Sequence, residues 1–249
     1  MSVMVFTKKI VLFLPLFGLF FLPSTAVAAG DSVLQLSPFL IEREAKRGEI
    51  LTESIIITNG SAAEKQLMVS LQDFLPGDGQ GGVEFLPQGK SASQATTLAP
   101  WVTITRQPEF LLLPNQSTKM IFTVQVPQEA ESGAHLGGLV FTLTDNLPVL
   151  GQTEIRQQSA ALLIYDVGRS FERGVIQKFN LATLGGQSES LNFISSFSNT
   201  GSSSLKPKGE IIIKNIFGYE IGRTPVNRDA LTVLPGTART FISRLNGSF

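Results

Sequence analysis

The chain contains no cysteine, one histidine and one tryptophan among 249 residues. Without thiols it has no disulfide staples and must hold together by packing alone. One imidazole and no thiolate exclude a metal site of the His/Cys type, which needs several such ligands. A Ser-His-Asp triad would have to use His135, yet no Gly-x-Ser-x-Gly turn exists to present a nucleophile. Ser203 and Lys206 have the spacing of a serine–lysine pair, but Pro207 follows at once and no Lys-Thr-Gly segment accompanies them. Charge is sparse: 16% of residues are Asp, Glu, Lys or Arg, with 20 basic residues against 20 acidic ones. No basic run is interleaved with aromatics, so nucleic acid is excluded as a partner. The sequence predicts no catalytic residue, no cofactor and no metal, and hence no enzyme.

Long apolar runs are also missing, with one exception. Lys8 and Lys9 precede an apolar stretch from Ile10 to Leu22, and Ala26-Val27-Ala28 then offers small residues at a cleavage site. The run of 13 falls short of the ~20 residues that span a bilayer, so residues 1–29 are predicted as a secretory signal peptide. The protein is expected to be secreted to the extracellular face or envelope of a bacterium. The given sequence carries no further membrane anchor.

What is present is alternation of period two. Met120, Phe122, Val124 and Val126 alternate with Lys119, Thr123 and Gln125; Leu67, Val69 and Leu71 alternate with Gln66, Ser70 and Gln72. Such spacing places one apolar face on each strand, and that face must pack against a second sheet. Eighteen phenylalanines against two tyrosines supply interior filler rather than an amphipathic surface.

One phrase occurs twice. Ile55-Ile56-Ile57-Thr58-Asn59-Gly60-Ser61 leads to Leu113-Pro114-Asn115-Gln116, and Phe197-Ser198-Asn199-Thr200-Gly201 leads to Leu234-Pro235-Gly236-Thr237. A strand, an Asn-containing turn, further strands and a Leu-Pro turn make one β-sandwich unit, and two copies predict two of them. The fold class is all-β: two tandem immunoglobulin-like sandwiches, residues 30–172 and 173–249. Strands are expected near 33–44, 51–58, 64–74, 83–86, 100–106, 110–113, 118–126, 136–144, 158–167, 175–182, 189–198, 208–216, 219–223 and 237–244, with a helical turn over 127–133. The chain ends soon after Pro235, so the second sandwich is expected to lack its last strand and to leave an open edge.

Charge divides unevenly. From Ala29 to Gly174 there are 10 basic and 16 acidic residues, a net of −6; from Val175 to Phe249 there are 8 and 4, a net of +4. Loops 73–90 and 145–155 are the expected binding surfaces, with Asp73, Phe74, Asp78, Glu84 and His135 as candidate residues and His135 placed at a turn or edge. Asp73, Asp78 and Glu84 flank a Gly-rich turn but lack the residue order of a calcium loop. Trp101 is expected in the core rather than on a sugar-binding face.

The pattern Leu36-x-Pro38, Gly48-Glu49, Ile55-x-Ile57-x-Asn59, Trp101, Leu113-Pro114-x-Gln116, Phe122-x-Val124-x-Val126-Pro127 and His135-x-Gly137-Gly138 resembles the WxL-interacting proteins of Gram-positive cell surfaces. Their first domain is described as peptidoglycan-binding, and Phe197 to Phe217 is similar to the Ig-like domains that follow it in such proteins. The resemblance implies a wall-associated, non-catalytic protein that binds peptidoglycan or another surface protein. Members usually end in a membrane helix and a basic tail, which this sequence lacks, so membrane association would need such an anchor. A second resemblance, to periplasmic pilus chaperones, implies the alternative function of a chaperone that lends a strand to its clients.

Overall fold

A cis peptide at Ser37-Pro38 divides the first strand of the fold between two sheets. In this computed structural model, residues 34–77, 81–93, 96–144, 157–182 and 190–246 are described. The first half of the molecule contains β1 (Leu34–Ser37), β2 (Leu40–Ala45), β3 (Ile50–Asn59), β4 (Lys65–Pro76), β5 (Val83–Phe85), β6 (Val102–Ile104), β7 (Glu109–Leu112), β8 (Ser117–Gln125), β9 (Gly133–Leu143) and β10 (Gln158–Val167). The second half contains β11 (Gly174–Ala182), β12 (Ser190–Asn199), β13 (Gly209–Lys214), β14 (Glu220–Val226) and β15 (Ala238–Asn246). A single 3-10 turn, Ala99–Trp101, is the one helical element among the described residues. The expected strands are therefore present and the all-β fold class holds. Two details differ: the expected strand 33–44 is two strands, and residues 127–133 form a hydrogen-bonded turn without a helix.

Sheet β1-β3-β8-β6 packs against sheet β2-β10-β9-β4-β5, with β7 also paired to β4. The alternating residues read from the sequence lie between them: Ile55, Ile57, Leu67, Met120, Phe122, Leu139, Phe141, Leu163 and Tyr165 are fully or almost fully buried. Strand β9 is buried along nearly its whole length, because its second face is covered too. Phe74, Ala134, Leu136 and Ile164 form a smaller cluster there, joined by Val83, Phe85 and Leu234. Leu234 belongs to the second half, so the two halves share apolar contact.

The second half pairs β11-β12-β15 in one sheet and β13-β14 in another. The boundary expected at 172/173 falls in the connector 168–173, before β11. The repeated phrase has one structure in both halves. Gln116 N donates to Leu113 O at 3.0 Å and Thr237 N to Leu234 O at 3.2 Å, closing equivalent turns. Their third residues, Asn115 at φ 57° and Gly236 at φ 73°, adopt the left-handed conformation that a Pro-led type II turn requires. Each turn is tied to a buried asparagine: Asn59 N donates to Gln116 O and Asn199 N to Thr237 O.

Candidate functional site

The residues expected to bind lie mostly inside the protein. Asp73 is fully buried on β4. Its Oδ1 accepts hydrogen bonds from Leu98 N at 2.9 Å and Ala99 N at 2.7 Å, and its Oδ2 accepts from Ala92 N at 2.9 Å and Thr97 Oγ1 at 2.6 Å. Four converging donors compensate the desolvation of the carboxylate and leave none of it for a ligand. Phe74 is fully buried, edge-on to Phe85 at 5.7 Å. Glu84 remains exposed on β5. Asp78 and the loop 145–155 lie outside the described residues.

His135 is not at a turn or an edge. It is fully buried on β9, two strands in from the β2 edge of its sheet. Its Nδ1 stands 2.9 Å from Thr97 O and its Nε2 3.0 Å from Glu131 O, while the ring lies 4.3 Å from the half-buried Trp101 ring. The flanking glycines, which read as a turn, serve packing instead. A Cβ on Gly138 would come within 2.8 Å of Phe85 and one on Gly137 within 3.1 Å of Leu98. Trp101 is thus engaged with His135 rather than offered as an open face for a sugar.

What the fold does leave open is one end of β10. Strand β2 runs parallel to β10 and pairs with it from Leu162 to Val167 only. Phe39 O accepts from Leu162 N at 2.8 Å, and beyond that point the chain turns away through the cis Ser37-Pro38 bond into the other sheet. Backbone groups alternate in direction along a strand. Since Leu162 and Gly168 both donate toward β2, Ala160 and Gln158 also direct their N–H and C=O groups to that side, where β1 passes nearby but no strand among the described residues pairs with them. Phe39, 66% exposed, stands at the point where β2 ends. The open segment is therefore a short strip of backbone donors and acceptors, unpaired among the described residues, beside one exposed aromatic ring.

Below this strip the halves are joined by partly buried polar contacts that the sequence did not reveal. Glu42 on β2 contacts both Lys206 Nζ and Thr232 Oγ1. Asp166 on β10 accepts from Ser204 N at 3.0 Å and Ser204 Oγ at 2.6 Å. Burial raises the Asp166 carboxyl above the ordinary value of 3.8, an effect opposed by the two Ser204 hydrogen bonds. Ala134 N donates to Ser202 O at 2.9 Å. These contacts border a polar cleft of about 1450 Å³ lined by residues of both halves, including Arg43, Arg169, Arg173 and Lys208. Arg43 is engaged by Glu53 at 2.6 Å, and this hydrogen bond raises its pKa.

No family model matches the chain, and no curated protein matches it. Among solved structures, the chain is similar to the class 5 fimbriae chaperone CfaA at 13% identity and a TM-score of 0.44, over 87% of this chain and 93% of that one. It is similar at 8% identity and a TM-score of 0.42 to a chain of the CsuC-CsuE chaperone-tip adhesion subunit pre-assembly complex of Acinetobacter baumannii, over 84% and 86% of the two chains. A chain from the complex of the Salmonella enterica SafA pilin with the SafB chaperone matches at 11% identity and a TM-score of 0.41, over 84% and 82%.

Proposed function

We propose that this chain is a non-catalytic, exported envelope protein that binds a partner protein by pairing the partner's strand with the free end of β10. The observation that carries this reading is the early end of β2, which leaves Gln158 and Ala160 with outward backbone groups and no strand paired to them among the described residues. An exposed strand edge is a template for β-augmentation, with affinity from main-chain hydrogen bonds and specificity from neighbouring side chains. Phe39 supplies such a side chain. The partner strand continues the line of β2, entering where the chain's own first strand leaves the sheet. This mode of binding shares strand pairing with the alternative that the sequence offered, a chaperone that lends a strand to its clients, but here the partner supplies the added strand. The polymer-binding reading has less support, since Asp73, Phe74 and His135 are buried and the Trp101 ring is occupied.

The test compares the protein with its Ala160→Pro variant. The Ala160 N–H faces the open edge, so proline removes a donor a partner needs without breaking the β9 ladder. A partner protein retained from envelope extracts by the parent and lost with Ala160→Pro, at unchanged circular dichroism, is the expected result. Equal retention by both, or binding of both to purified sacculi above a charge-matched control, would contradict it.

A further inference from the structure

Between the two sheets of the second half runs an apolar groove of about 550 Å³. Its walls are Ile176 and Phe179 of β11, Phe193 and Phe197 of β12, and Ile211 and Ile213 of β13. Its floor holds the hydroxyl of Ser195, which is buried and has no hydrogen-bond partner among the described residues. A buried hydroxyl left without a partner is costly, so its presence on the floor of an apolar groove points to something that enters and bonds to it.

The walls identify the occupant as polypeptide. Strand β11 pairs with β12 alone, and β13 with β14 alone, among the described residues. Thr200 N donates to Arg173 O, while Asn199 exchanges its bonds with the β15 side. The even-numbered residues of β12 therefore bond to β11, and the register pairs them with Val175, Lys178, Asn180 and Ala182. Ile176, Phe179 and Leu181 consequently turn their backbone groups toward the free edge. Phe179 is 52% and Ile176 63% exposed on that strand. A lipid chain would leave those donors and acceptors unmet, whereas a peptide strand meets them at the natural spacing of a ladder.

Charge selects among peptides. Lys208 and Lys214 flank the two ends of β13 and both line the groove. Glu210, the one acid among the lining residues, is tied to Arg223 at 2.5 Å. Val175 to Phe249 carries a net of +4 from 8 basic and 4 acidic residues.

We infer that the second half is a separate binding site for an extended strand of a partner protein, one that is apolar at every second residue, has a hydroxyl residue at its inward-facing centre and is acidic at its ends. The strand adds to the free edge of β11 and inserts its inward side chains between the sheets. The site is distinct from the free end of β10.

The probe is the peptide Asp-Val-Gln-Thr-Gln-Val-Asp, titrated into the full chain with backbone amides followed by NMR. Saturable binding is expected, with shifts and exchange protection at Ile176, Phe179 and Leu181. Phe179→Ser and Ile176→Ser, both at exposed positions and thus tolerated by the fold, should each weaken binding by at least about tenfold, the loss typical of a well-packed apolar anchor. A central proline, or lysines in place of the aspartates, should weaken it as well, and Ala160→Pro should leave it unchanged. Failure of the peptide to bind, binding insensitive to Phe179→Ser, loss of binding in Ala160→Pro, or preferential uptake of laurate would each overturn the inference.

Discussion

Asn199 stands to Val233 as Asn59 stands to Leu112. Each donates from Nδ2 to that carbonyl, at 2.9 Å and 3.1 Å, just ahead of the Leu-Pro turn in its half. Each also reaches a carbonyl four residues on, Ser203 O and Ala63 O, both at 2.8 Å. Each Oδ1 receives the amide two residues on, Gly201 N and Ser61 N. The repeat in the sequence is the repetition of this pin.

Removing a pin strands buried carbonyls. Asn59→Ala and Asn199→Ala are each expected to cost about 2–4 kcal/mol, since several partners lose their bonds together. Urea unfolding followed by tryptophan fluorescence checks this for Asn59, and amide exchange in β12 and β15 checks it for Asn199. A loss below about 0.5 kcal/mol, the scale of an ordinary surface substitution, would show that the turns hold without their asparagines.

Asp73→Asn should be similarly destabilising, by about 2–3 kcal/mol, because an amide turns its own donor toward groups that already donate. Thermal melting reads this out. Partner binding by the surviving folded protein should not change, because the carboxylate serves only the 92–99 segment.

The pH dependence of Asp166 has a defined sign. Its carboxyl titrates above the ordinary 3.8 because burial disfavours the charge. The folded state therefore holds the proton more tightly than the unfolded one. Stability should fall as pH climbs from 3.8 through the raised value, then level off. Asp166→Asn should flatten that decline. An unchanged slope in denaturation measured across this window would locate the titration elsewhere.

The Glu42–Lys206 pair is partly open to water, with side-chain exposures of 18% and 43%. Glu42→Gln should cost no more than about 1 kcal/mol. It should also reduce the effect of added salt on the melting temperature, which differential scanning fluorimetry resolves. An identical salt response would mean that the pair does not join the halves energetically.

Much of the fold was legible because period-two alternation leaves one solution for residues such as Phe122, Val124 and Leu67. The Leu-Pro turns were legible because their residue types are dictated by a left-handed backbone. The break at Pro38 was not, since an apolar run reads the same whether it stays in one sheet or crosses to another. His135 was misplaced because Gly137 and Gly138 mimic turn residues; only the positions of Leu98 and Phe85 explain them. Asp73 read as the flank of a hairpin because its four donors come from residues 92–99, beyond any local pattern. The open end of β10 had no sequence signal at all, because it is defined by where β2 stops.

The absence of cysteine in the native sequence permits the most direct test of strand pairing at β10. Single cysteines at Gln158, Ala160 and, as a control on the opposite sheet, Ile121 would carry a short photo-crosslinker in the exporting cell. Strand pairing predicts one partner chain captured from 158 and 160 and not from 121, with the adduct mapping to an extended segment of the partner. Capture from all three sites alike, or from 121 alone, would contradict it.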